Sequence, residues 1–327
     1  MKLNLSTQRR AWSALTLTCG LLATACAAEP SDADRASSEV VDDTPGDEDA
    51  LSDLVSDESL AVECPDDAGA PVRDAAPAPG RDASVPTPPA AGDCQVGPVP
   101  ESVRQQWKLD PFYQKYADAG GIPILSSSKP PDKTLTLACQ LVNEMVGDRP
   151  DVRAAIIKNR AKFIMIASSE KTTDPPEFRN LPDYYNTRAR GLGGQTGMCA
   201  EESILCDRAK DRWYGESICV HEYAHTISLY GLYTADKTFQ SRLTSAFNEA
   251  KAQGLWANTY ASEQVQEYWA EGVQNWYDTN LESARPNGVH GPINTKEELK
   301  SYDKKLYDLV DELLPDQVKW NDCYRRN

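Results

Sequence analysis

The tract ICVHEYAHTISLY, residues 218–230, carries two of the chain's three histidines, four positions apart, with a glutamate directly after the first. This spacing constrains the fold more than any other feature of the chain. A helix turns about 100° per residue, so His221 and His225 stand on one helical face, one turn apart. Two imidazoles so placed can grip one ion. Glu222 flanks the same cleft, where it can hold a water on that ion instead of ligating it. Two ordinary helix histidines are the plain alternative. The metal reading needs a third donor, because a catalytic zinc takes three protein ligands and leaves one position for water.

Only part of the chain can supply that donor. Residues 1–26 begin with a basic region (Lys2, Arg9, Arg10) and run through AWSALTLTCGLLATA to Cys26, the pattern of an export signal. Ala23-Thr24-Ala25-Cys26 resembles a bacterial lipobox, with Ala23 where leucine is usual. Lipidation of Cys26 is therefore expected, with ordinary cleavage after Ala25 or Ala27 and plain secretion as the alternative. Residues 27–93 hold 18 Asp and Glu against 3 Lys and Arg, interleaved with Pro, Ala, Ser and Gly. Such a segment cannot bury enough apolar area to fold, so 27–94 reads as a disordered acidic linker. Of the chain's net charge of −16, residues 94–327 then carry only −4. They show no basic stripe, and nucleic-acid binding has no support. Residues 95–327 contain six of the seven Trp and all five Phe, ample for one globular domain.

Outside Cys19 and Cys26 there are seven cysteines: Cys64, Cys94, Cys139, Cys199, Cys206, Cys219 and Cys323. Export makes disulfides plausible, and Cys199 and Cys206, flanking a short loop, are the expected pair. Cys219 points roughly 160° away from His221 on the helix and reads as a core or disulfide residue, not a ligand. GIPILSS (121–127) reads as a strand, KFIMIASS (162–169) as a second, buried strand, and RNLPDYYNTRARGLGGQ as loop followed by an edge segment. Helices are expected over TLACQLVNEMVG, RAAIIKNR, the HEYAH tract, DKTFQSRLTSAFNEAKAQG and EQVQEYWAEGVQNWYD. A Thr295–Glu298 capping box opens a last helix, ELKSYDKKLYDLVDELL, which Pro315 stops. Strands come early and helices late, which predicts an α+β domain with a small N-terminal sheet and a helical C-terminal part.

Several groups compete to be the third donor. A metzincin continuation is excluded, because Ser228 and Gly231 stand where its glycine and third histidine belong. Asp236, eleven residues after His225, lacks the flanking motif of an aspartate-ligand class. His290, in NGVHGPIN, is the remaining histidine, in a loop where exposure is more usual than ligation. Glu263, Glu267 and Glu271 recur at a spacing of four on EQVQEYWAEGVQNWYD. A solvated acidic face is the plain reading of such spacing. Tyr268, Trp269, Ala270 and Trp276 argue instead that the helix is buried, and buried carboxylates are costly unless paired or bound to metal.

HEYAH followed at a distance by YASEQVQEYWAEGV resembles the gluzincin metallopeptidases, most closely the catalytic domain of the anthrax lethal factor type. In that family a tyrosine stands seven residues before the ligand glutamate, which two aromatics, Ala and Glu follow. Those positions here are Tyr260, Glu267, Tyr268, Trp269, Ala270 and Glu271. The resemblance covers roughly residues 105–315, and the lethal factor's substrate-recognition domains have no counterpart in this length. It implies a zincin-like fold and one Zn²⁺ per chain on His221, His225 and Glu267. It further implies Glu222 as general base, Tyr260 as a hydroxyl near the tetrahedral intermediate, and Glu271 as a partner behind the ligands.

The expected activity is zinc-dependent hydrolysis of a protein or peptide substrate by a monomer exported from a bacterial cell, touching membrane only through a lipid anchor. Gly191–Gly194 reads either as an edge that pairs with an extended peptide or as a plain turn. The rival expectation is a non-catalytic zinc-containing surface lipoprotein that binds a partner from an acidic stalk.

Overall fold

A computed structural model describes residues 92–147, 149–316 and 324. The signal segment with Cys26, the linker up to residue 91, Cys64 and Cys323 lie outside the described residues. Cys94 is buried and disulfide-bonded to Cys139, which ties the last position assigned to the linker into the folded residues.

Among the described residues, six strands form one mixed sheet: β1 (Gly97–Pro98), β2 (Lys115–Ala119), β3 (Ile122–Ser126), β4 (Lys162–Ile166), β5 (Gly191–Leu192) and β6 (Thr196–Ala200), in the order β1-β2-β3-β4-β6-β5. β3, β4 and β6 run parallel, while β1, β2 and β5 are antiparallel to their neighbours. The glycine pair 120–121 does not merely open β3. Both residues take positive φ, 64° and 89°, and close a two-residue β2–β3 hairpin with Ala119 opposite Ile122.

The helices are α1 (Glu101–Trp107), α2 (Asp132–Val146), α3 (Pro150–Lys158), α4 (Tyr185–Arg188), α5 (Glu201–Ile204), α6 (Ile218–Thr226), α7 (Tyr233–Ala235), α8 (Phe239–Ala252), α9 (Val265–Trp276), α10 (Lys296–Tyr302) and α11 (Lys304–Leu313). The α+β class is as expected. Among the described residues no helix is long and apolar enough to cross a membrane.

Both faces of the sheet are covered, which explains why IPILS and KFIMI are near-continuous apolar runs. Ile124, Phe163, Met165 and Cys199 face the larger core with α2, α6, α8 and α9. Their alternating neighbours Leu125, Ile164, Ile166, Met198 and Ala200 face a second layer that includes Tyr113, Phe178 and Leu192.

Two expectations need correction. Cys199 pairs with Cys219, not Cys206; Cys206 is disulfide-bonded elsewhere. The partner seven residues away in sequence loses to one that α6 carries directly over β6, so the bridge fastens the first turn of α6 to the sheet. The last helix is also two helices. The Thr295–Glu298 capping box is present. However, Asp303 ends α10 and caps α11, its Oδ1 accepting from the Leu306 N–H, while its Oδ2 accepts from Trp256 Nε1–H and the Tyr268 hydroxyl.

Candidate metal centre

α6 begins at Ser217, whose hydroxyl accepts from the Val220 N–H, and all nine of its residues are buried. It has no solvent face because β6, β5, α9 and the loops around them enclose it. α9 is fixed alongside by the Trp269 indole N–H, which donates to the Ala224 carbonyl at 3.0 Å, and by the Ser217 N–H, which donates to the Thr279 carbonyl at 2.8 Å. Beyond His225 the chain widens into a π-helical turn, Ile227–Leu232, and the Ser228 hydroxyl donates to Gln266 Oε1 beside Glu267.

This packing brings His221, His225 and Glu267 together. Glu267 Oε2 lies 3.0 Å from His221 Nε2 and 3.4 Å from His225 Nε2, and one ligand atom from each residue falls within 4.8 Å of the others. All three are buried. Tetrahedral bonds of about 2.0–2.1 Å set neighbouring donors about 3.3–3.4 Å apart, close to these separations. Among the described residues, neither ring nitrogen of His225 has a hydrogen bond of good geometry, Glu267 at 3.4 Å being its nearest charged group. Two imidazoles and a carboxylate suit a borderline divalent ion, so the residues present fit a metal.

The charges are arranged for the same end. Burial alone would lower the His221 imidazole, but Glu267, Glu222 and Glu271 outweigh it and raise its pKa to about 10. Burial prevails at His225, which lies below its ordinary value. Burial would raise Glu267, yet His225 and His221 hold that carboxyl well below the usual range. A divalent cation held between these imidazoles and the Glu267 carboxylate would compete with protons for the same atoms, so its binding would release protons.

Glu222 is fully buried on the same helix and packs against the edge strand: a β-carbon at Gly191 would stand 2.7 Å from its Oε1. A β-carbon at Gly193 would stand 2.5 Å from His225 Cδ2. The Gly191–Gly194 segment is therefore an edge lying on the centre, with Gly194 held by the Thr226 hydroxyl donating to its carbonyl. Tyr260 is buried in a 3₁₀ turn, its ring centroid 6.3 Å from that of His221.

Behind the donors, Glu271 Oε1 stands 3.7 Å from His221 Nδ1, and Glu271 Oε2 accepts from the Asn280 amide at 2.8 Å. Burial raises its carboxyl above the ordinary value, against the pull of His221 and His290. The direct partner of His221 Nδ1 is Gln274, which sequence reasoning passed over; its Oε1 accepts at 2.6 Å. Gln274 lies seven residues beyond Glu267, on the same helical face, and the spacing could have found it. His290 is buried and donates to Glu216, away from the three-donor group. Glu263 is exposed and precedes the start of α9. Asp236 accepts from Arg242 and from the Thr238 N–H, with no part in the centre.

No family model matches the chain, nor does any curated protein or solved structure.

Proposed function

We propose that the protein is a zinc-dependent endopeptidase of the gluzincin type. The observation that carries this reading is one arrangement: a buried His221–His225–Glu267 donor set with the Glu222 carboxylate on the same helix, lying against the edge strand β5. Binding zinc alone does not call for a glutamate at position 222, whereas peptide hydrolysis does.

His221, His225 and Glu267 would hold the ion. A bound zinc supplies Lewis acidity, which polarises a carbonyl and acidifies a water. Glu222 accepts the water's proton and delivers it to the leaving amine. The Tyr260 hydroxyl stabilises the oxyanion of the tetrahedral intermediate. An extended peptide added along the outer edge of β5 passes Glu222 and His225, since Gly191 and Gly193 pack on those side chains. The N-terminal signal pattern and the acidic stretch after Cys26 support export, with the monomeric domain tethered at the cell envelope.

A second reading, a non-catalytic zinc-carrying surface protein, draws on the near-complete burial of the donors and of Glu222. Metal analysis combined with peptide-library digestion separates the two. The peptidase releases fragments, stops when zinc is chelated and resumes when zinc is returned. A binding protein retains one zinc per chain and cleaves nothing.

A further inference from the structure

A buried chain of polar groups runs from His221 to a surface turn. His221 Nδ1–H donates to Gln274 Oε1 at 2.6 Å. The Gln274 amide nitrogen donates onward to Glu216 Oε2 at 3.3 Å and to the Ser217 carbonyl at 3.2 Å. The other Glu216 oxygen, Oε1, accepts from His290 Nε2–H at 3.2 Å. Gln274 is fully buried, and His221, Glu216 and His290 are each no more than 4% exposed.

The order of groups fixes the direction of every bond. A side-chain amide can be turned either way, but Glu216 and the Ser217 carbonyl are both acceptors, so they claim the Gln274 nitrogen. The Gln274 oxygen must then face His221 and accept from its Nδ1–H, which leaves Nε2 as the ring nitrogen that faces Glu267. Glu271, at 3.7 Å from Nδ1, is beyond hydrogen-bond reach. Glu216 is held from its far side by His290. The turn that bears His290 also supports the other side of the centre: the Val289 carbonyl accepts from the Tyr260 N–H at 2.8 Å, and the Gly288 N–H donates to the Asn258 carbonyl at 2.9 Å.

We propose that Gln274, Glu216 and His290 are positioning residues for the metal centre, a relay that fixes the tautomer and ring angle of His221 and so sets the affinity of the site for a divalent ion. The proposal rests on the His221–His225–Glu267 site binding metal. It assigns His290 a role at a distance from the ion and makes Gln274, ahead of Glu271, the group that orients the ligand.

The test is zinc affinity by chelator competition, with the visible spectrum of the Co²⁺-loaded protein as a report on ligand geometry. It is made on the full chain and on Gln274→Leu, His290→Ala, His290→Gln and the double variant Gln274→Leu/His290→Ala, with thermal unfolding of each metal-free form recorded alongside. Gln274→Leu is expected to weaken zinc binding about 10- to 100-fold, as loss of a ligand-orienting partner does, and to shift the Co²⁺ spectrum. His290→Ala weakens it about 3- to 10-fold on the same grounds. His290→Gln restores affinity, because its amide still donates to Glu216. The double variant is no weaker than Gln274→Leu alone, since without Gln274 the effect of His290 has no route to the ligand. Unchanged affinity in His290→Ala, or additive losses in the double variant, overturns the relay. Should Gln274→Leu not fold, the two His290 variants decide, and equal losses in both overturn it. Absence of zinc binding by the unsubstituted chain overturns the metal reading and the relay together, whereas normal binding with an unaffected His290→Ala overturns the relay alone.

Discussion

Gly191 on the edge strand leaves the space that the Glu222 side chain fills, for a β-carbon there would stand 2.7 Å from both Cγ and Oε1 of Glu222 and 2.4 Å from Ile218 Cγ2. Two glycines of one short segment thus guard two different groups, since Gly193 bears in the same way on the His225 ring. If Glu222 is the general base proposed above, Gly191→Ala should displace it and cut peptide hydrolysis about 100-fold while zinc is retained, because a shift of an ångström at a reacting group costs that much. Gly193→Ala is expected to weaken zinc binding itself. Parallel measurement of zinc retention and hydrolysis checks both, and identical behaviour of the two variants would contradict the placement.

The Cys199–Cys219 bridge closes a loop of 20 residues between β6 and the helix that carries His221. Chain-entropy arguments give such a bridge about 3 kcal/mol. Cys199→Ser with Cys219→Ser is therefore expected to lower unfolding free energy by about that amount, read by urea titration. Peptide mapping under non-reducing conditions should recover Cys94–Cys139 and Cys199–Cys219; a Cys199–Cys206 peptide would show the pairing to be wrong.

The pairing of His221 and His225 was legible because histidine is scarce and the HEYAH spacing sets both on one helical face, whereas the choice of Glu267 among the carboxylates rested on the family resemblance. The buried strands β3 and β4 were legible from their apolar runs. β6 was not: TGMCA contains no β-branched apolar residue, and its small side chains are those that tolerate α6 lying on the sheet, with a Gly197 β-carbon standing 2.7 Å from Thr226 Oγ1. The true partner of Cys199 was hidden because disulfides follow distance in space, and only the fold brings α6 over β6. Gln274 was hidden because the recurring carboxylates of α9 are the more conspicuous partners, although a neutral amide accepts from the Nδ1–H of a buried histidine equally well. The break at Asp303 was hidden by the continuous apolar spacing of α10 and α11.

Asp303 accepts from Trp256 at 2.9 Å, from Tyr268 at 2.7 Å and from the Leu306 N–H at 3.1 Å, and it is buried. Asp303→Ala leaves three donors unsatisfied and is expected to cost about 3–5 kcal/mol, against a smaller loss for Asp303→Asn, which keeps an acceptor. Denaturant titration measures both. A loss under about 1 kcal/mol for the alanine variant would contradict the junction's role.

Asp236 tests the acid side of stability. Hydrogen bonds from Thr238, then Arg242, hold its carboxyl down at about 2, below the ordinary 3.8. A lowered carboxyl favours the folded state above its unfolded value, and that contribution is lost as pH falls from about 4 through about 2. Asp236→Asn should therefore be less stable than the unsubstituted chain at pH 7, with the gap closing over this window and zinc affinity unchanged throughout. Thermal unfolding between pH 2 and pH 7 follows the gap; a gap independent of pH, or lost zinc, would contradict the assignment.

The central claim is that Glu222 moves protons at a metal held by His221, His225 and Glu267. The most direct measurement is the rate of peptide hydrolysis by Glu222→Gln and the unsubstituted chain at equal zinc occupancy, each confirmed at one zinc per chain. The account predicts unchanged zinc content and a loss of turnover of about 100- to 10,000-fold, the range of general-base removal. Equal rates in the two proteins, or no hydrolysis by the zinc-loaded unsubstituted chain, would contradict it.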